Sequence, residues 1–283
     1  MMLFHYPFAL AALGLCLLLT GVLSFFGYHV VRRGVIFVDL ALAQVASLGA
    51  CVGHMIGWGE SRPVATFLLS LAFTLMGALL FSWFRGRRAL PIEALIGVTY
   101  AGAMALSLIV LERSATGSEE LKEMLVGSIL TVPPRTLLLA AALFAGAGAV
   151  LFLARRPLFA ITENPEEARS RGYRLWAWDF LFYAAFGVVV TFSVRVTGVL
   201  LVFAFLVVPS LASLLALPGG PGAGAGKRVA FGWGFGSLGC VAGLEASLRL
   251  DWSAGPAIVA AFILLLAATG IAARLSARKT PAA

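Results

Sequence analysis

The chain has 283 residues, of which 61% are hydrophobic and only 12% charged. A water-facing surface needs far more charge than this, so the composition excludes a soluble globular domain and makes lipid the solvent. The formal net charge of +8 does not point to nucleic acid, because the Lys and Arg residues sit in the gaps between apolar runs, where membrane topology accounts for them.

Apolar runs of bilayer-spanning length follow one another at 8–31, 35–57, 64–84, 91–111, 136–154, 177–194, 197–217, 229–248 and 254–273. They predict an all-α polytopic membrane protein of eight or nine transmembrane helices, organised as a single domain over residues 1–283. The first run has no Lys or Arg ahead of Arg32, which reads as a retained helix and not as a cleaved signal. The second run opens on Asp39 and Gln44 and closes near His54. Polar groups at membrane depth face a cavity, a partner or the interface, so these three are candidates for a polar track along one helix.

The fourth run opens on Glu93. Glu119 to Leu130 (EELKEMLVGSIL) is too short and too charged to span, and predicts an interfacial or re-entrant helix. Asn164 stands before Pro165, Glu166 and Glu167, with Gly172 behind them, which is the pattern of a short helix with a capping start and a glycine stop. Asp179 and Arg195 flank the sixth run at snorkelling depth, as Glu93 and Asp251 do elsewhere. Pro209 is expected to break the seventh helix, and the Gly- and Pro-rich stretch 217–227 follows it. That stretch is no phosphate loop: Pro221 replaces the first glycine, Arg228 replaces the magnesium-binding hydroxyl, and the strand is missing. Glu245 lies in the eighth run as a further pathway candidate.

Gly53/Gly57, Gly232/Gly236 and Gly239/Gly243 each fall four apart and predict close helix packing. Cys16, Cys51 and Cys240 lie singly inside apolar runs and read as small buried hydrophobes. His5, His29 and His54 are the only histidines, no H-E-x-x-H or G-x-S-x-G is present, and no catalytic constellation is expected. With the N-terminus outside, fifteen Lys and Arg residues fall on the cytoplasmic side and six on the other, which is the orientation the positive-inside rule selects.

Five collinear stretches resemble a known family. VTGVLLVFAFLVVPSLASLLA (Val196 to Ala216) resembles the signature of zinc- and manganese-type ATP-binding-cassette (ABC) permeases. RRGVIFVDLALAQVASLGA (Arg32 to Ala50), EALIGVTYAGAMAL (Glu93 to Leu106), NPEEARSRGY (Asn164 to Tyr173) and LRLDWSAGPAIV (Leu248 to Val259) are similar to its other segments, in the same order. The resemblance implies the fold of metal- and vitamin-type importer permeases in a bacterial-type cytoplasmic membrane. It implies a second copy of the chain, a cytosolic ABC ATPase dimer that alone binds ATP, an extracytoplasmic solute-binding protein, and a transported divalent metal with no covalently bound cofactor. The ATPases would dock on Asn164, Glu166, Glu167 and Arg171, and on the segment carrying Ser210 and Ser213.

The family's second helix typically carries an Asp and, four residues later, a His. Aligned through Gly49, those positions are Leu40 and Gln44, and Asp39 is displaced by about 100° around the helix. The oxygen ligands Asp39 and Gln44 suit manganese or magnesium better than zinc. Two other readings stay open on the residues alone: an ion-gradient-driven secondary transporter using Asp39, Glu93 or Glu245, and a scaffold whose polar residues only bind helices together.

Overall fold

A computed structural model describes residues 2–59, 61–85, 91–112, 129–217 and 224–279. Among them there are helices and no strand. The helices are α1 (Pro7–Arg32), α2 (Val38–Met55), α3 (Pro63–Phe84), α4 (Ile92–Leu111), α5 (Pro134–Leu153), α6 (Arg155–Glu163), α7 (Pro165–Ser170), α8 (Leu175–Thr197), α9 (Val199–Ala216), α10 (Ala225–Leu250) and α11 (Ala254–Lys279). Nine of these are long and apolar enough to cross a membrane, all but α6 and α7. The expected spans are therefore present, each within a few residues of its predicted ends. Their starts follow proline chemistry: α1, α3, α5 and α7 all begin on a proline, whose fixed φ and missing N–H suit the first helical position.

Two departures have a physical cause. Pro209 lies inside α9 without ending it, because in an apolar surround neighbouring helices hold the continuing ladder together. The stretch after α5 holds not one short helix but two, α6 and α7, since Pro165 keeps Asn164 extended (φ −146°, ψ 91°) between them. Of the expected interfacial helix, residues 119–128 lie outside the described residues, and Ile129–Thr131 form a single 3-10 turn.

The chain forms two compact units. The first contains residues 1–31, 128–144 and 200–283. Its α1 meets α9 at Gly27, where any side chain would collide with the Leu206 carbonyl and the Ser210 hydroxyl. Gly236 lies against Thr20, and Gly239 and Gly243 let α10 close on Phe262 and Ile258 of α11. Phe205 of α9 packs edge-on to Phe262 at 5.4 Å. Cys16 and Cys240 are buried in this unit. Arg228 donates to the Leu217 carbonyl at 3.2 Å, which fixes the start of α10 to the end of α9.

The second unit contains residues 32–127 and 145–199. Here α2 is the inner helix, packed by α3, α4 and α8, and 61% of its spanning window is buried against 22% for α4. It meets α3 through small residues: a Cβ on Gly49 would stand 2.7 Å from Ser70 Cα, and one on Gly53 would stand 3.0 Å from Thr66. Such approach is what small-xxx-small spacing provides where lipid tails supply no hydrophobic drive. Gly53 thus pairs with Gly49 and not with Gly57, which lies beyond the helix end at φ 81° with open space around it. Ser70 Oγ donates to the Ala46 carbonyl at 2.5 Å, and Thr74 and Thr191 share a hydrogen bond of 2.9 Å between α3 and α8.

Candidate functional site

Positions 43, 46, 47, 50, 51 and 54 of α2 recur at helical spacing and form one face. That face lines a cavity of about 460 Å³, closed on its other sides by Thr66 and Ser70 of α3 and by Thr191 and Arg195 of α8. Its polar lining is made of hydroxyls (Ser47, Thr66, Ser70, Thr191), the Cys51 thiol, the His54 imidazole and the Arg195 guanidinium. Among the described residues no carboxylate lines it. Among the described residues no three His, Cys, Asp or Glu side chains converge to form a metal cluster.

Asp39 continues the same face one turn nearer the start of α2. It is 2% exposed, and its Oδ1 has no hydrogen-bond partner. His54 sits at the opposite end of the helix, about 22 Å away at 1.5 Å rise per residue, where it is exposed at the cavity. Gln44 is half-buried beside this face, as is Leu40, and neither lines the cavity. Asp39 and His54 thus stand at opposite ends of one side of α2, with Ser47 and Cys51 between them, while Gln44 stands off to the side. Glu93 is exposed in the first turn of α4. Glu245, in the first unit, accepts hydrogen bonds from the Met2 and Leu3 amides at 3.0 and 3.1 Å and pairs with Arg249 at 2.7 Å. Its carboxylate holds the N-terminal turn onto α10.

The start of α2 carries a second constellation. Arg33 has a fully buried side chain that donates to Asp179 at 3.0 Å and to Thr162 Oγ1 at 2.8 Å, with its guanidinium 4.3 Å from the centroid of the Phe182 ring. Arg85, at the end of α3, pairs with the same Asp179 oxygen. Burial lowers Arg33 from its usual range to about 10, with the charge of Arg85 adding to the effect and Asp179 opposing it, so the group stays cationic at neutral pH. Asp179 is therefore a buried counterion and not a snorkelling one. Arg32 pairs with Glu163 at 2.8 Å. These contacts join the turn before α2 to α6 and α8. The Arg-Arg dipeptide is visible in the sequence, but its partners lie up to 146 positions away, and no local pattern names them.

α7 forms as the capping pattern predicts. Asn164 Oδ1 accepts from the Glu167 amide at 3.2 Å, and Glu167 pairs with Arg171 at 2.5 Å. Glu166, Glu167 and Arg171 are exposed, while Ala168 is buried and seats the helix. A groove of about 910 Å³ beside it is lined by Trp83 and Arg85 of α3, Asn164, Glu166 and Arg169 around α7, and Trp176 of α8. Ser210 and Ser213 are buried, at 3% and 1%, and donate within α9 to the carbonyls of Leu206 and Ser210. Their hydroxyls face the interior of the first unit, not a docking surface.

The chain is 26% identical over 259 residues to an uncharacterised membrane protein of Synechocystis sp., covering 90% of this chain and 87% of that one. It is 21% identical over 208 residues to the manganese import system permease protein ScaB of Streptococcus gordonii, covering 70% and 72%. The solved structure of PsaBC from Streptococcus pneumoniae in complex with Fab shares its fold, with a TM-score of 0.77 at 19% identity over 93% of this chain and 91% of that one. A family model matches residues 5–272, and the chain belongs to the ABC 3 transport family, as a multi-pass membrane permease.

Proposed function

We propose that this permease is the membrane subunit of an ATP-driven importer for a divalent metal, manganese ahead of zinc. The observation that carries the reading is the family match along nearly the whole chain together with similarity to a manganese import permease. The two units act together as one permease domain, paired with a second copy of the chain, a cytosolic ATPase dimer and an extracytoplasmic solute-binding protein. The N-terminus is outside, so α2 runs from the cytoplasmic face at Arg33 to the outer face at His54. The metal passes along α2 by Asp39 and His54, with Gln44, Glu93 and Glu245 as outlying polar groups. Oxygen donors in this set favour manganese, whose preference for carboxylate, carbonyl and water exceeds that of zinc.

Asn164, Glu166, Glu167 and Arg171 present α7 to the ATPase, and the last turns of α9, into which Ser210 and Ser213 pack, form the second contact. ATP binding and hydrolysis on the partner drive the helices between inward-open and outward-open states. The test is metal uptake into liposomes holding the complete complex. Manganese should accumulate only with ATP on the ATPase side, and zinc should compete for it. Accumulation by the chain alone under a proton or sodium gradient would make it a secondary transporter and overturn the proposal.

A further inference from the structure

The two arginines before α2 bridge elements that the transport cycle must connect. Arg32 grips Glu163, the last residue of α6, and Arg33 grips Thr162 beside it and Asp179 of α8. One extended residue, Asn164, separates that anchor from α7. Only five residues, 34–37 and Val38, lead from Arg33 into the first turn of α2, the helix whose face carries Asp39 and lines the cavity. A displacement of α7 thus reaches α2 without crossing an apolar interface, along ion pairs and hydrogen bonds of 2.8 to 3.0 Å.

Three features set this arrangement apart from ordinary interface snorkelling. The Arg33 side chain is 0% exposed, so no water replaces its contacts. Its guanidinium is fixed in three directions, by a carboxylate, a hydroxyl and an aromatic ring, a geometry that the planar five-donor fork of arginine provides and lysine does not. Arg85 brings the end of α3, the other wall of the cavity, onto the same Asp179 oxygen. Charged groups buried this fully are costly unless paired, and here pairing gathers α2, α3, α6 and α8 at one point.

We propose that Arg32 and Arg33 are positioning residues for transport, acting as the relay that converts movement of α6 and α7 into movement of α2. The inference rests on the reading of this chain as an ATP-driven permease docked through α7. In the reconstituted complex, Arg32→Glu and Glu163→Arg should each lower metal uptake per ATP hydrolysed by about fivefold or more, within the range of coupling seen for contacting charges. ATP hydrolysis itself should persist, and the double variant Arg32→Glu/Glu163→Arg should regain the ratio. Thr162→Val, which keeps shape and removes one Arg33 contact, gives a smaller loss of the same ratio and serves if a charge variant fails to fold.

A spin label on Met55, exposed at the far end of α2, reads the helix independently of cargo. It should shift with nucleotide in the unmodified complex, stay still in Arg32→Glu, and shift again in the double variant. A label that still shifts in Arg32→Glu, or a transport ratio unchanged by both single variants, overturns the relay. A label that shifts while no metal moves in the unmodified complex sinks the cargo assignment and leaves the relay standing.

Discussion

At the Arg33 end of α2, two guanidiniums share one carboxylate, and one of them also holds a hydroxyl and lies over an aromatic ring, whereas at the His54 end the helices meet through Gly49, Gly53, Thr66 and Ser70 beside a cavity. The first end is held by charge, the second by closeness. Breaking one partner out of a buried ion pair costs about 3–5 kcal/mol, while a hydrogen bond between membrane helices averages about 0.6 kcal/mol. The charged end is therefore expected to move as one body, and the small-residue end is where sliding of the helices is expected.

Three substitutions test this contrast, from the largest effect to the smallest. Asp179→Asn keeps shape but leaves the buried Arg33 and the partly exposed Arg85 without their countercharge, and should lower stability by about 3–5 kcal/mol. Thermal unfolding of the purified protein measures it, and an unchanged Tm would show that the charged end is not the stiffer one. Gly49→Val drives a side chain against the Ser70 backbone and should cost about 2–3 kcal/mol through overpacking. If the loss is smaller, the helices at this end already part easily, which sharpens the contrast further. Thr74→Val removes the hydroxyl pair with Thr191 and should cost about 0.6 kcal/mol; a loss as large as that of Asp179→Asn would erase the distinction between the two ends.

The same contrast explains what could be read from sequence. Spans were legible because a bilayer imposes a length and an apolar composition on every crossing segment, and α7 was legible because Asn164, Pro165, Glu166 and Glu167 carry their signals within a few residues. The small-residue interface was half legible. Gly49 and Gly53 fall four apart, and so do Thr66, Ser70 and Thr74, but the pair picked out from sequence was Gly53 with Gly57, and the end of α2 falls between them. The Arg33–Asp179 pair was not legible, since its members are joined only by folding and each looked like an ordinary interfacial charge. Likewise, nothing local distinguishes Glu245 as an anchor for the N-terminal turn from Glu245 as a pathway residue. Ser210 and Ser213 lie near the end of a span, but only packing shows that they point inward.

Asn164 has one further consequence. Because a proline holds it extended between two helices, α7 is a tip of six residues set off from α6 by one extended residue and from α8 by residues 171–174. Its outer side is solvent-facing and its one seated residue is Ala168, so under the proposed docking of an ATPase on α7 the outer side could be rewritten for a different motor while the spanning helices keep their sequence. Transplanting residues 164–172 between related chains should accordingly exchange engine preference and leave cargo choice with the recipient.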